Sequence, residues 1–134
     1  MCNNDYIAAK GNWGTVRWAI IPPNSSSQAR EFYLALDKDN KAKVLTLFQR
    51  LAEFGTIQNR EKFRKLGEKA GSQARGLCEF KSHQIRFIGD FRPDHRFIVA
   101  WGTRKKKDEL DRSDIDAALK ILIDYDAANP KKVR

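Results

Sequence analysis

One stretch of the sequence alternates a carboxylate and several cations with apolar residues, as a strand with one polar face does. Glu79 and Lys81 precede the dipeptide Ser82-His83, and Arg86 follows it. If that dipeptide is the two-residue loop of a hairpin, Glu79 lies opposite Arg86 and Lys81 lies on the same face. A guanidinium can bind a phosphate and stabilise charge that develops on it, and a carboxylate can take the proton of an attacking 2′-hydroxyl. These residue types suit the cleavage of RNA without a metal ion.

A second hairpin would add an aromatic ring and further cations to this face. With a four-residue turn at 92–95, Trp101 falls opposite Arg86, where its ring could stack on a base. The basic run 104–107 begins where that strand ends. The other face is predicted to line the core under the helices, with Cys78, Phe80, Ile85 and Phe87. A slip of one residue in either pairing would exchange the two faces, so the prediction depends on the register.

Each of these residues also has an ordinary structural interpretation. Glu79 and Arg86 are equally well an exposed cross-strand ion pair, which contributes less than ~1 kcal/mol. Trp101 is more often a core or interface aromatic than a platform for a base, and 105–107 can be a solvated loop. Taken alone, the residues indicate a basic RNA-binding α+β domain.

The positive charge is concentrated in one part of the chain. The formal net charge is +9, and residues 60–107 alone hold fourteen Lys and Arg against five acidic residues. The remaining residues carry equal numbers of each sign. A localised positive field attracts a polyanion and accelerates its capture, so nucleic acid is the predicted partner.

Composition limits the protein class. A chain of 134 residues, 41% of them hydrophobic, fits one domain with a substantial core. The first five residues have no basic or apolar signal region, and no apolar run approaches the ~20 residues of a membrane helix, so a cytoplasmic location is expected. Cys2 and Cys78 form no disulfide framework, and Cys78 is interpreted as a small core residue. His83 and His95 are not spaced as metal ligands, so we expect neither a metal nor a cofactor.

Periodicity predicts the order of the elements. We expect a strand over 15–21, two helices over about 28–36 and 40–54 that form an antiparallel hairpin, and a short helical piece at 59–66. Strands follow at 76–81, 84–91 and 96–102, and a last helix runs from Ser113 to about 128. The predicted fold is α+β, with an antiparallel sheet of about four strands on which an N-terminal helical hairpin and a C-terminal helix pack. Residues 1–14 are expected to be a loose extension, 15–128 a single domain and 129–134 a basic tail.

Three segments together resemble a known family. They are Gly76-Leu77-Cys78-Glu79-Phe80-Lys81, Gln84-Ile85-Arg86-Phe87-Ile88 and Val99-Ala100-Trp101-Gly102-Thr103-Arg104-Lys105-Lys106. They are similar to the strands and the basic loop of the RelE/HigB-like superfamily of type II toxins, in particular its phage-derived RelE-like branch. The similarity covers about residues 28–126, of which 76–106 are motif-like. It implies the RelE/ParE-like fold for 15–128.

The resemblance also implies a function. It indicates the toxin of a type II toxin–antitoxin system, an mRNA interferase that cleaves mRNA on the ribosome without metal or cofactor. An antitoxin, expected to be a helix-turn-helix protein, would bind it and mask the basic surface. The residues predicted to be catalytic are Arg86, Glu79, Lys81, Arg104 and Lys105. Those predicted to bind RNA are Lys65, Arg75, Arg92, Trp101, Lys106 and Lys107.

The chain departs from the family pattern in ways that leave alternatives open. It has Leu77 and Glu79 where RelE has paired lysines, and no His or Tyr follows Trp101 at the positions that some relatives use for the general acid. One alternative is a ParE-like toxin that inhibits gyrase. Another is a non-enzymatic module of phage or mobile-element origin that binds RNA or a protein.

Overall fold

The computed structural model describes residues 6–23, 26–66, 76–106 and 110–128. In chain order the elements are β1 (Ile7–Lys10), β2 (Thr15–Trp18), α1 (Gln28–Leu34), α2 (Lys38–Phe54), β3 (Phe63–Lys65), β4 (Cys78–Ser82), β5 (Ile85–Arg92), β6 (Arg96–Arg104) and α3 (Arg112–Ala128). The strands form one six-stranded sheet in the order β1-β2-β6-β5-β4-β3. β2 runs parallel to β6, and the other neighbours are antiparallel.

The prediction of an antiparallel sheet of about four strands was wrong, because the sheet is mixed and has two additional strands. β1 lies within the segment expected to be a loose extension and pairs with β2. β3 occupies the segment expected to be helical and pairs with β4. The parallel pair joins Thr15 to Arg96, residues far apart in sequence, so no local sequence pattern predicts it.

The prediction of an N-terminal helical hairpin was also wrong. Two strands precede the helices, and α1 has only seven residues. It begins at the N-cap Ser27 and packs on β6, where the Gln28 side chain donates to the Gly102 carbonyl and accepts from the Gly102 N–H, both at 2.8 Å. α2 begins at the N-cap Asp37, ends at the left-handed Gly55 and packs on β1, β2 and β4. The two helices therefore each dock on the sheet.

Helices cover both faces of the sheet. Under α1 and α2 lies an aromatic core whose members include Trp18, Phe48, Phe80, Phe87 and Phe97. Cys78 and Ile85 belong to the same core, so the predicted core face of the first hairpin is confirmed. On the other face α3 packs over β5 and β6 and buries a second core that includes Leu77, Ile88, Ile98, Ile115 and Leu122. The face predicted to be open is therefore largely covered.

Gly89 lies at the irregularity that sets the register between β5 and β6. The register shifts between Ile88 and Gly89, and a Cβ on Gly89 would lie 2.1 Å from the Ile98 carbonyl oxygen. We therefore expect Gly89→Ala to lower the free energy of unfolding, measured by urea denaturation, by at least about 2 kcal/mol. Gly76→Ala is the matched control, because the atoms nearest to its Cβ would be those of the Asp90 carboxyl group, which ends a rotatable side chain. Equal losses in the two variants would show that the strand pair adapts to the methyl group.

Candidate functional site

The first hairpin turns one residue later than predicted. Ser82 pairs with Ile85, so His83 and Gln84 form the loop, and His83 has a φ of 55°. Lys81 lies opposite Arg86, whereas the predicted loop placed Glu79 there. The displacement moves each partner by two positions, and a shift of two keeps every side chain on its face.

Glu79 itself lies opposite Ile88 in β5 and opposite Arg64 in β3. Glu79, Lys81 and Arg86 thus share the face that was predicted for them. That face is the one over which α3 packs.

The second hairpin also differs in register but not in face. Trp101 lies opposite Ile88, and Arg86 lies opposite Thr103. The Trp101 ring packs against the second core, and its Nε1–H donates to Asp114 Oδ1 at 3.1 Å. Trp101 is therefore half-buried between the sheet and α3, the core interpretation that the sequence analysis left open.

A buried charge cluster occupies the centre of the predicted site. Glu79 is completely buried, and Arg86 is 2% exposed. The two Glu79 oxygens contact different guanidiniums: Oε1 accepts from Arg64 Nε at 2.9 Å, and Oε2 lies 3.2 Å from Arg86 Nε. Arg86 Nη1 also donates to the carbonyls of His83 and of Ile85, the latter at 3.3 Å. The cluster thus joins β3, β4 and the turn of the first hairpin.

Arg64 is a member of this cluster that the sequence analysis missed. It belongs to the basic segment, but 59–66 was predicted to be helical, which concealed its place opposite Glu79. Its side chain is 36% exposed, so it connects the buried carboxylate with the surface.

The remaining predicted residues divide between the two ends of the sheet. Near the first hairpin, Arg104 lies opposite Ile85, and Arg104 and Lys106 are exposed. Lys105 contacts Asp111, and its Nζ lies 2.8 Å from Asp114 Oδ2. Hydrogen bonds from Lys105 to these carboxylates raise the pKa of Lys105, which keeps it charged.

At the opposite end, Arg92 lies beside the second turn and is bound by Asp126 of α3 at 2.8 and 2.9 Å. Its Nη1 also lies 3.2 Å from Asp90 Oδ2. Lys65, in β3, is exposed and pairs with Cys78. Arg92 and Lys65 are therefore separated from the cations of the first hairpin. Arg75 and Lys107 lie outside the described residues.

Cys78 has the environment of a core residue. It is fully buried, and burial raises the pKa of its thiol to about 12. The thiol is therefore protonated at neutral pH, whereas a nucleophilic cysteine reacts as the thiolate. Among the residues that the structure describes, no three His, Cys, Asp or Glu side chains are grouped so as to hold a metal ion. No helix in the described ranges is long and apolar enough to cross a membrane.

The comparison with known families decides the relationship that the motifs suggested. Residues 31–122 match the family described as Phage derived protein Gp49-like (DUF891). The chain belongs to this family. The Gp49-like family is part of the RelE/HigB-like toxin superfamily, so the resemblance is confirmed at the level of the superfamily. The matched span starts in α1 and ends in α3, and it leaves out β1 and β2.

Membership of the Gp49-like family supports a general assignment. The family is toxin-like, of the RelE/HigB type, which is consistent with a toxin of a toxin–antitoxin system. A toxin-like family implies an antitoxin partner in general terms. No curated protein matches the chain.

Proposed function

We propose that this protein is the toxin of a type II toxin–antitoxin system and a metal-independent endoribonuclease that cleaves mRNA on the ribosome. The observation that carries the proposal is the pair of exposed cations Arg104 and Lys106 at the end of β6, where Arg104 lies opposite Ile85 beside the turn of the first hairpin. Family membership supports it independently.

In the proposed mechanism the exposed cations bind the RNA backbone and the buried ones hold the hairpin that carries them. Arg104 and Lys106 are exposed and would contact phosphates. Lys81 is half-buried and shares the other face of the hairpin with Arg86, so it would add only to the overall positive field. In the proposed step the 2′-oxygen attacks the adjacent phosphorus and gives its proton to water, the bond from phosphorus to the 5′-oxygen breaks, and the 5′-oxygen takes a proton from water, which leaves a cyclic phosphate. Preorganised cations stabilise the charge that develops on the phosphate oxygens. Arg86 and Glu79 hold the hairpin in position from within the fold, because both are buried and paired with each other.

A second candidate, a non-enzymatic module that binds RNA or protein, is favoured by one specific observation. A general base must accept a proton, yet both oxygens of Glu79 contact guanidiniums beneath the surface. Such a module would use the same exposed cations for binding alone. The two candidates differ in whether mRNA is cut.

Expression of the protein in bacteria, with mapping of mRNA 5′ ends, tests the proposal. We expect growth arrest with codon-phased cuts, and Arg104→Gln/Lys106→Gln should reduce cutting at least about tenfold, because it removes two exposed phosphate contacts. The control Lys38→Gln/Lys120→Gln removes two exposed charges elsewhere and should cut as wild type does. Growth arrest with intact mRNA and induced DNA damage would instead indicate a ParE-like activity. Absence of arrest would support the non-enzymatic module.

A further inference from the structure

A basic groove lies outside the predicted site, on the side of α2. Its volume is about 800 Å³, and it runs between residues 43–54 of α2, the loop before β3 and the turn of the first hairpin. Lys43 and Arg50 line it from α2, Lys62 from the loop and His83 from the turn. We call it the α2 groove. Its volume falls within the ~300–1,000 Å³ of ordinary ligand sites.

Backbone hydrogen bonds hold the walls of the α2 groove in place. The Lys62 N–H donates to the Asn59 carbonyl at 2.9 Å, and the Lys81 N–H donates to the Lys62 carbonyl at 2.8 Å, which attaches the loop to β4. Across the groove, Lys43 Nζ lies 3.4 Å from His83 Nε2. The groove is therefore formed before a ligand arrives, and its occupant does not have to order it.

The side chains that line the α2 groove favour an anionic ligand that carries planar groups. The described side chains that line it include the three cations together with amides and hydroxyls, and none of them is a carboxylate. Lys43 and Arg50 are seven residues apart, which places them on one side of α2 about 10 Å apart along its axis. Phe54, the last residue of α2, is 66% exposed at the rim. Cations that track a backbone beside an exposed aromatic ring are the elements of a single-strand nucleic-acid site.

We propose that the α2 groove binds a single-stranded segment of RNA, with phosphates on Lys43, Arg50 and Lys62 and a base stacked on Phe54. The segment is single-stranded because a duplex keeps its bases stacked on one another and unavailable to Phe54. A peptide of the antitoxin fits less well, since Leu47 and Ile57 are buried and leave Phe54 as the exposed apolar anchor. The proposal rests on the proposed function only in taking RNA as the polymer.

The groove adjoins the first hairpin, which gives the RNA a continuous path. His83 lines the groove, and its carbonyl accepts from Arg86 within the buried cluster. The neighbouring Gln84 carbonyl accepts from the Lys105 N–H at 2.7 Å, and the exposed residues Arg104 and Lys106 lie on either side of Lys105. A strand bound at Arg104 would therefore reach the groove around the turn, and the groove would lengthen the footprint on the RNA.

Fluorescence anisotropy with an unstructured, 2′-O-methylated RNA oligonucleotide tests the groove, because this probe cannot be cleaved through its 2′-oxygens. Lys43→Gln/Arg50→Gln/Lys62→Gln should reduce the slope of log affinity against log salt by about 2, since each phosphate contact on a single strand contributes about 0.7. The control Lys10→Gln/Lys38→Gln/Lys120→Gln removes three exposed charges outside the groove. It should not show this reduction in the salt slope. Phe54→Ala should lower the affinity at least about fivefold with the slope unchanged.

Equal salt slopes for the groove variant and its control would overturn the proposal. Wild-type RNA affinity in the groove variant together with lost binding of its antitoxin would overturn it too, in favour of a protein site. The outcome is separable from the proposed function. If the wild type cuts no mRNA but the groove variant loses RNA affinity as expected, the groove stands and the nuclease assignment fails.

Discussion

Glu79→Ala is expected to lower the free energy of unfolding by about 3–5 kcal/mol, the usual cost of removing one partner from a buried ion pair. The carboxylate is completely buried and contacts Arg64 at 2.9 Å and Arg86 at 3.2 Å. Without it the Arg86 guanidinium, 2% exposed, would remain in the interior beside a cavity. Urea denaturation followed by circular dichroism measures the loss.

Matched variants separate charge from packing. Glu79→Gln keeps the shape and one acceptor oxygen, so its loss should be smaller than that of Glu79→Ala. Arg64→Ala should cost least, because Arg64 is 36% exposed and Arg86 still neutralises the carboxylate when it is gone. Glu79→Leu/Arg86→Met should recover part of the loss, because apolar residues of similar volume often replace a buried pair without cost.

The buried cluster of Glu79, Arg64 and Arg86 affects how the activity of variants should be interpreted. Arg86→Ala removes a buried side chain that joins β4 to the turn, so a loss of toxicity in that variant would confound folding with chemistry. If Arg64→Ala lowered the free energy of unfolding as much as Glu79→Ala does, this would contradict the view that the carboxylate stabilises Arg86 more than Arg64. Exposed positions such as Arg104 are therefore the cleaner test of function.

The sequence predicted the faces of the hairpin strands but not their partners. Alternation assigns each residue to a side, and Phe80 and Phe87 could only face an apolar core. The sequence analysis took Ser82-His83 as the loop, whereas His83 and Gln84 form it, with a φ of 55° at His83, so the turn was placed one residue too early. The error moved the partners by two positions, so the faces were retained.

Contacts between distant segments could not be read from local pattern. The parallel pairing of β2 with β6 and the position of α3 are fixed by burial of surfaces far apart in the chain. That is why the face of Glu79 and Arg86 was predicted to be open. The α2 groove was missed for a related reason: Lys43 and Arg50 precede the basic segment, and only the docking of α2 brings them beside Lys62.

Asp114→Ala is expected to lower the free energy of unfolding by about 2 kcal/mol, because it removes a hydrogen bond to an ionised acceptor that is 7% exposed. Asp114 lies in the first turn of α3, where a carboxylate is also favoured by the helix dipole. Its Oδ1 accepts from Trp101 Nε1 at 3.1 Å, and its Oδ2 lies 2.8 Å from Lys105 Nζ. It therefore fastens α3 to the end of β6.

The pH dependence identifies which of these contacts is lost. Hydrogen bonds from Lys105 to Asp111 and Asp114 raise the pKa of Lys105 above its ordinary 10.5, so their stabilisation is complete below that pH and disappears as the pH rises through the folded value. Asp114→Asn keeps an acceptor for Trp101 but weakens the contact with Lys105. It should cost less than Asp114→Ala at pH 7 and should flatten the decline above pH 10.5. Equal costs at pH 7 would show that Trp101 contributes little to holding α3.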